Sequence, residues 1–140
     1  MTSVARRAGP RALPPFRRLL ASSCDTVRES AIDRLTDAGD TESIPAIRAL
    51  LRGGDVFDVE GASRALVKFG AKDAVPDLVA QFKNANPTAR IDVAEALVGL
   101  RARSAIPALA RAAAHEPVPW AKTRLAEALY ALKKGTPLPP

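Results

Sequence analysis

The sequence predicts an all-α fold, a right-handed α-solenoid of about three and a half to four 31-residue helix pairs. Three observations predict it. Hydrophobic residues make up 47% of the 140-residue chain but aromatics only 4%, with Ala and Leu dominant, which suits helices packed through small side chains rather than a sheet. Apolar residues recur at helical spacing, as in Val27, Ala31, Ile32, Leu35 and Ala38. The chain also repeats itself: "SIPAIRALL", "AVPDLVAQF" and "AIPALARAA" set Pro45, Pro76 and Pro107 31 residues apart. Ile44, Val75 and Ile106 precede the prolines in step, Ile47, Leu78 and Leu109 follow, and Leu35, Leu66 and Leu97 lie upstream. A helix pair this short cannot bury its apolar face alone, so successive pairs must stack over one continuous core.

The elements follow in order. Residues 1–11 read as a flexible basic tail. With five arginines and no acid before Asp25, the N-terminal segment also suits an organelle transit peptide. The register argues for structure instead: counting 31 back from Pro45 reaches Pro14, with Leu13, Phe16 and Leu20 under Ile44, Ile47 and Leu51. Residues 12–23 are therefore expected to form an N-terminal capping helix with Phe16, Leu19 and Leu20 inward. The repeat domain spans 12–134, its later units being 26–53, 57–84, 87–115 and 119–134.

Within each unit a first helix ends near Gly39 or Gly70, where a left-handed cap needs no Cβ. A second helix then begins at the repeated proline, whose missing N–H has no helical partner in a first turn. Thr26 with Glu29 fits a capping box, Asp58 is placed to cap the next first helix, and Asn86 caps a helix with Pro87 at its first position. The fourth first helix, "WAKTRLAEALYALKKG", keeps the pattern in Leu125, Ala128, Leu129 and Leu132, shifted by one residue after "HEPVPW". Residues 135–140 form a Pro-rich tail in which Leu138-Pro139 stands where another second helix would begin.

Composition excludes several functional classes. One cysteine, Cys24, and one histidine, His115, cannot make an internal disulfide or a Cys/His metal site. No apolar run approaches the ~20 residues that span a bilayer, and a cytoplasmic protein is expected, or a plastid one if the N-terminus is a transit peptide. The net charge of +6 is uneven: +5 over residues 1–24, −5 over 25–60 and +6 over 61–140. A nucleic-acid binder would show one continuous basic face with interleaved aromatics, which is absent here. No phosphate-cradling loop, metal motif or catalytic triad is present. Cys24 reads as a turn residue, His115 as a surface residue at a helix end, and Trp120 as core packing against the last helix.

The columns resemble the short HEAT-like repeat of the phycobilisome lyase (E/Z) type, which runs approximately V-R-x-x-A-A-x-A-L-G-x-x-G-D-x-x-A-V-P-x-L. Val27, Arg28, Ala31, Leu35, Gly39, Asp40, Ile44 and Pro45 match it. The second unit keeps Ala62, Ala65, Leu66, Gly70, Val75, Pro76 and Leu78; the third keeps Ala89, Arg90, Ala94, Ala96, Leu97, Ile106, Pro107 and Leu109. The third unit departs at the Gly-Asp turn, where Arg101 replaces glycine, and the chain has fewer repeats than such lyases usually have.

The resemblance implies a solenoid whose second helices line the concave side. Outward positions there hold Arg17, Arg18, Arg48, Arg52, Lys83 and Arg111, a basic ridge suited to an acidic protein surface. Asp55, Phe57 and Asp58 of "GGDVFDVEG" are a candidate loop contact, or a helix cap with a hydrophobic staple. Two functions stay open. One is a noncatalytic protein-binding scaffold or chaperone-like module, its partner a phycobiliprotein subunit or a second HEAT-repeat subunit. The other is a bilin lyase/isomerase or lyase subunit, with phycocyanobilin or phycoerythrobilin as substrate rather than resident cofactor and the acceptor cysteine on the client. Nucleic-acid binding by the ridge ranks third, and no catalytic or metal-ligating residue is assigned.

Overall fold

A proline opens every second helix. In the computed structural model, which describes residues 13–138, Pro14, Pro45, Pro76 and Pro107 all lie in the first turn of an α-helix. Eight α-helices are present among the described residues: α1 (Leu13–Leu19), α2 (Asp25–Asp37), α3 (Ile44–Gly53), α4 (Val56–Phe69), α5 (Val75–Ala80), α6 (Pro87–Gly99), α7 (Ile106–His115) and α8 (Pro119–Lys134). Single 3-10 turns, Thr41–Ser43, Lys72–Ala74 and Arg103–Ala105, lead into α3, α5 and α7, recurring at the 31-residue period. A further 3-10 turn, Gln81–Lys83, replaces the end of α5. The basic tail expected over 1–11, with residues 12, 139 and 140, lies outside the described residues.

The helices form two layers of a right-handed α-solenoid. In one, α2 packs on α4, α4 on α6 and α6 on α8; in the other lie α1, α3, α5 and α7. Each second helix packs closely on the first helix that follows it, α1 on α2, α3 on α4, α5 on α6 and α7 on α8. The compact antiparallel hairpin thus starts at the proline, and four such hairpins stack. The segment expected as a half-repeat cap is the first arm of a whole hairpin.

The repeated columns are the core. Leu35, Leu66 and Leu97 are wholly buried, as are Ile47, Leu78 and Leu109, each burial contributing about 1.5–3 kcal/mol. Small residues set how closely the first helices approach. A Cβ on Gly99 would lie 2.9 Å from Val67 Cγ1, so any larger residue there would force the Val67 side chain, or α6 itself, to shift.

Several local expectations are corrected. The N-cap of α2 is Cys24, without a side-chain capping bond, so Thr26 and Glu29 lie inside the helix and form no capping box. Asp55, not Asp58, caps α4, accepting from the Phe57 and Asp58 amides. Gly54 occupies the position before that cap, so no hydrophobic staple forms. Asn86 caps α6 as expected, accepting from Thr88 N–H. Leu20 is buried and Phe16 packs against the core, but Leu19 is exposed, being the outward residue of the last turn of α1. Trp120 is 54% exposed, because the first turn of α8 carries it away from α7. Gly39 and Gly70 adopt positive φ, and Arg101 takes the same left-handed conformation at φ 52° without glycine's freedom.

Candidate functional site

The candidate face is built by the second helices, whose columns place residues of equal register side by side. Arg18, Ala49, Ala80 and Arg111 share one column, and Ala21, Arg52, Lys83 and Ala114 another, each stepping by 31 residues. All eight are exposed. The columns read Arg-Ala-Ala-Arg and Ala-Arg-Lys-Ala, a strip in which each cation stands beside an exposed methyl group in its own repeat.

The six ridge cations divide into two kinds. Arg17 is bound to Asp40 through two hydrogen bonds, Nε to Oδ2 at 2.7 Å and Nη2 to Oδ1 at 2.6 Å, with Glu42 at 3.1 Å. Arg48 Nε donates to Asp77 Oδ2 at 2.7 Å, and Arg52 reaches the same oxygen at 3.3 Å. These pairs tie α1 to the turn before α3, and α3 to α5, so they serve the stacking of the repeats. Arg18, Lys83 and Arg111 carry no ion pair among the described residues, and their charge faces solvent.

The loop candidates are separated too. Phe57 is 56% exposed and points outward, whereas Asp55 is occupied as the helix cap. Asp58 is buried and accepts from Arg28 Nε at 2.9 Å, so it is a structural partner rather than a contact on the surface.

That pair belongs to a recurring lock that sequence reasoning missed. Arg28 also donates to the Ser22 carbonyl at 2.9 Å and pairs with Asp25, holding the turn before its own helix to the start of α4. Two periods on, Arg90 donates to the Asn84 carbonyl at 2.7 Å and to both oxygens of Glu116 at 2.7 and 2.6 Å. Glu116 also accepts from Val118 N–H, which ties the inserted turn before α8 into the array. The Arg90 hydrogen bonds hold the Glu116 carboxyl below its usual range, burial opposing them. In the middle repeat Val59 takes the arginine's column, and Asn84 Nδ2 donates to the Gly54 carbonyl at 2.8 Å instead. The available signal was the paired "VR" and "AR" at Arg28 and Arg90, 62 residues apart.

Beside this lock lies a shallow cavity of about 290 Å³, with Lys83 and His115 among its lining residues together with Arg90 and Glu116. His115 Nδ1 is 2.8 Å from the Arg111 carbonyl oxygen, so that nitrogen donates. On another edge, Lys72, Arg101 and Arg103 line an open groove; Arg103 donates to the Lys133 carbonyl at 3.1 Å, capping α8.

The outer faces of the first helices carry a separate charged cluster. Arg64 lies 3.7 Å from Glu29 and 3.9 Å from Glu60, and Arg124 pairs with Glu95. Among them Asp92 keeps a buried carboxylate oxygen without a hydrogen-bond partner. Burial, and then the charges of Glu60 and Glu95, push its carboxyl up to about 7, with Arg64 and Arg124 opposing.

Among the described residues no three His, Cys, Asp or Glu side chains converge as a metal site. Cys24 is exposed. No helix among them is long and apolar enough to cross a membrane.

Comparisons with known proteins agree with this architecture. A family model described as HEAT repeats matches residues 60–130. No curated protein sequence matches significantly. Among solved structures, the chain is similar to one in the complex of CpcE and CpcF of phycocyanin lyase from Nostoc sp. PCC7120, with a TM-score of 0.70 and 22% identity. The superposition covers 92% of this chain and 55% of that one, so the present chain spans little more than half its neighbour's length.

Proposed function

Because the chain belongs to the HEAT-repeat family, matched over residues 60–130, we propose that it works as a protein-binding scaffold or chaperone-like module. Its second-helix face, the concave side in this reading, receives an acidic protein surface. Phycobiliprotein subunits are the first candidates, and a second HEAT-repeat subunit is the next. The observation that carries this reading is the strip of exposed alanines set among Arg18, Lys83 and Arg111, cations with no ion pair among the described residues. Small side chains let a partner approach closely, and unneutralised charge steers an acidic partner before contact. The other ridge arginines hold the repeats in register, so the binding charge is carried by fewer residues than the sequence suggested. Binding of apo-phycobiliprotein subunits at low ionic strength tests the proposal.

A second reading is favoured by the similarity to a chain of the phycocyanin lyase complex. In that reading this chain is a lyase subunit that holds the client while bilin propionates rest on exposed arginines. The bilin is substrate, and the thiol that bonds to it belongs to the client, so no nucleophile of this chain is needed. Incubation with phycocyanobilin, apo-subunits and a candidate HEAT-repeat partner separates the readings. Covalent, absorbance-shifted product supports the lyase subunit, whereas tight client binding without chromophore transfer supports the scaffold.

A further inference from the structure

The two ends of the array differ. Gly61 of α4 lies within reach of Ile32 on α2, and Ala65 is buried one turn on. One period earlier, the same columns on α2 hold Ser30, which is exposed, and Arg34, whose guanidinium stands 5.3 Å over the Phe16 ring. The outward face of α2 therefore carries polar groups at both positions.

The outward face of α8 is mixed, with the Lys134 ammonium 5.9 Å from the centre of the Tyr130 ring. On α6, Ile91, Ala94 and Val98 lie in the core cluster shared with α8. Adding 32 residues, which allows for the one-residue insertion, the same columns on α8 hold Thr123, Ala126 and Tyr130, all exposed. With Pro119, Lys122, Glu127, Thr136 and Pro137 they line an open groove of about 790 Å³. Tyr130 is 63% exposed and Trp120 borders the same helix face.

We propose that this face is a homodimer interface, with α8 of one copy packed parallel to α8 of a second about a twofold axis along the helices. The repeats already use that geometry, since α6 and α8 are successive first helices packed side by side. The residues fit a heptad seam, with Pro119, Thr123, Ala126 and Tyr130 central. Lys122 and Glu127 flank the seam five residues apart, the spacing at which each lysine meets the other copy's glutamate in a parallel pair. Lys122 reaches only the Ala114 carbonyl, at 3.5 Å, and Glu127 has no ion pair among the described residues, so both are available. One helix seam is a small interface, so weak, concentration-dependent dimerisation is expected. The inference is independent of which client the second-helix face takes.

Sedimentation equilibrium on the full chain, on Lys122→Glu and on Glu127→Lys, alone and mixed in equal amounts, tests it. Wild type should dimerise, and each single variant should associate at least about tenfold more weakly with unchanged thermal stability. The mixture should recover dimer, because each copy then offers the charge the other lacks. A wild type that stays monomeric at about 100 µM, single variants that dimerise like wild type, or a mixture no better than its components would each overturn the proposal.

Discussion

Arg90 donates two hydrogen bonds to Glu116 across 26 residues, from a guanidinium whose side chain is 12% exposed to a carboxylate that is 1% exposed. The carboxylate belongs to the inserted turn that shifts α8 by one residue. The pair therefore fixes the place where the 31-residue period is broken, and α8 with its exposed face depends on it. Replacing Arg90 by Met leaves a buried, unpaired carboxylate and should cost about 3 kcal/mol. Urea unfolding of Arg90→Met checks this.

The same pair shapes the acid limb of stability. The Glu116 carboxyl titrates lower in the folded protein than in the unfolded chain, so its stabilisation is present above the unfolded value of 4.5 and is lost as pH falls through the folded value. The variant Glu116→Gln should be less stable than wild type at pH 7 and converge on it in strong acid, as thermal melts across pH would show.

Asp92 acts in the opposite sense. Its carboxyl rises from 3.8 to about 7 on folding, so the folded state holds a proton the unfolded chain has released. Stability therefore falls between about pH 4 and pH 7 and stays low above. The variant Asp92→Asn should be more stable than wild type at pH 8 by on the order of 1–2 kcal/mol, discounted for solvent reaching the side chain. Near pH 4 the two should melt together.

Arg101 is the third cap of a column otherwise filled by Gly39 and Gly70, all at positive φ. A residue with a Cβ is strained there, so Arg101→Gly should stabilise by about 1 kcal/mol. The parallel change Gly70→Ala should destabilise by a similar amount. Chemical denaturation of both variants measures the column's conformational demand.

Deletion of residues 1–22 tests the role of α1. It removes buried Leu20, the partly buried Phe16 and the Arg17 pair with Asp40. The melting temperature should fall, whereas a removable targeting segment would leave it unchanged.

The sequence made the architecture readable because a period of 31 residues with a fixed proline leaves little freedom in how helices stack. Leu35, Leu66 and Leu97 needed no structure to be recognised as core. Helix starts were less legible. Cys24 caps α2 without a favourable side chain, and Asp58, a good cap by residue type, faces Arg28 because Asp55 already fills that role. Trp120 was misread because its size suggests burial, while its place in the first turn of α8 leaves it exposed among the described residues. The ridge was legible as columns of charge. Which of its cations were already paired was not, since Arg48 and Asp77 meet across two repeats.

The central claim, that Arg18, Lys83 and Arg111 supply the binding charge for an acidic protein partner, is tested most directly by one titration. Apo-phycobiliprotein subunits are titrated into wild type and into Arg18→Glu/Lys83→Glu/Arg111→Glu at rising salt. Wild-type affinity should fall steeply as salt screens the strip, and the triple variant should bind at least about tenfold more weakly at low salt while melting at the wild-type temperature. Equal affinity of the two proteins, or wild-type binding indifferent to salt, would contradict the account.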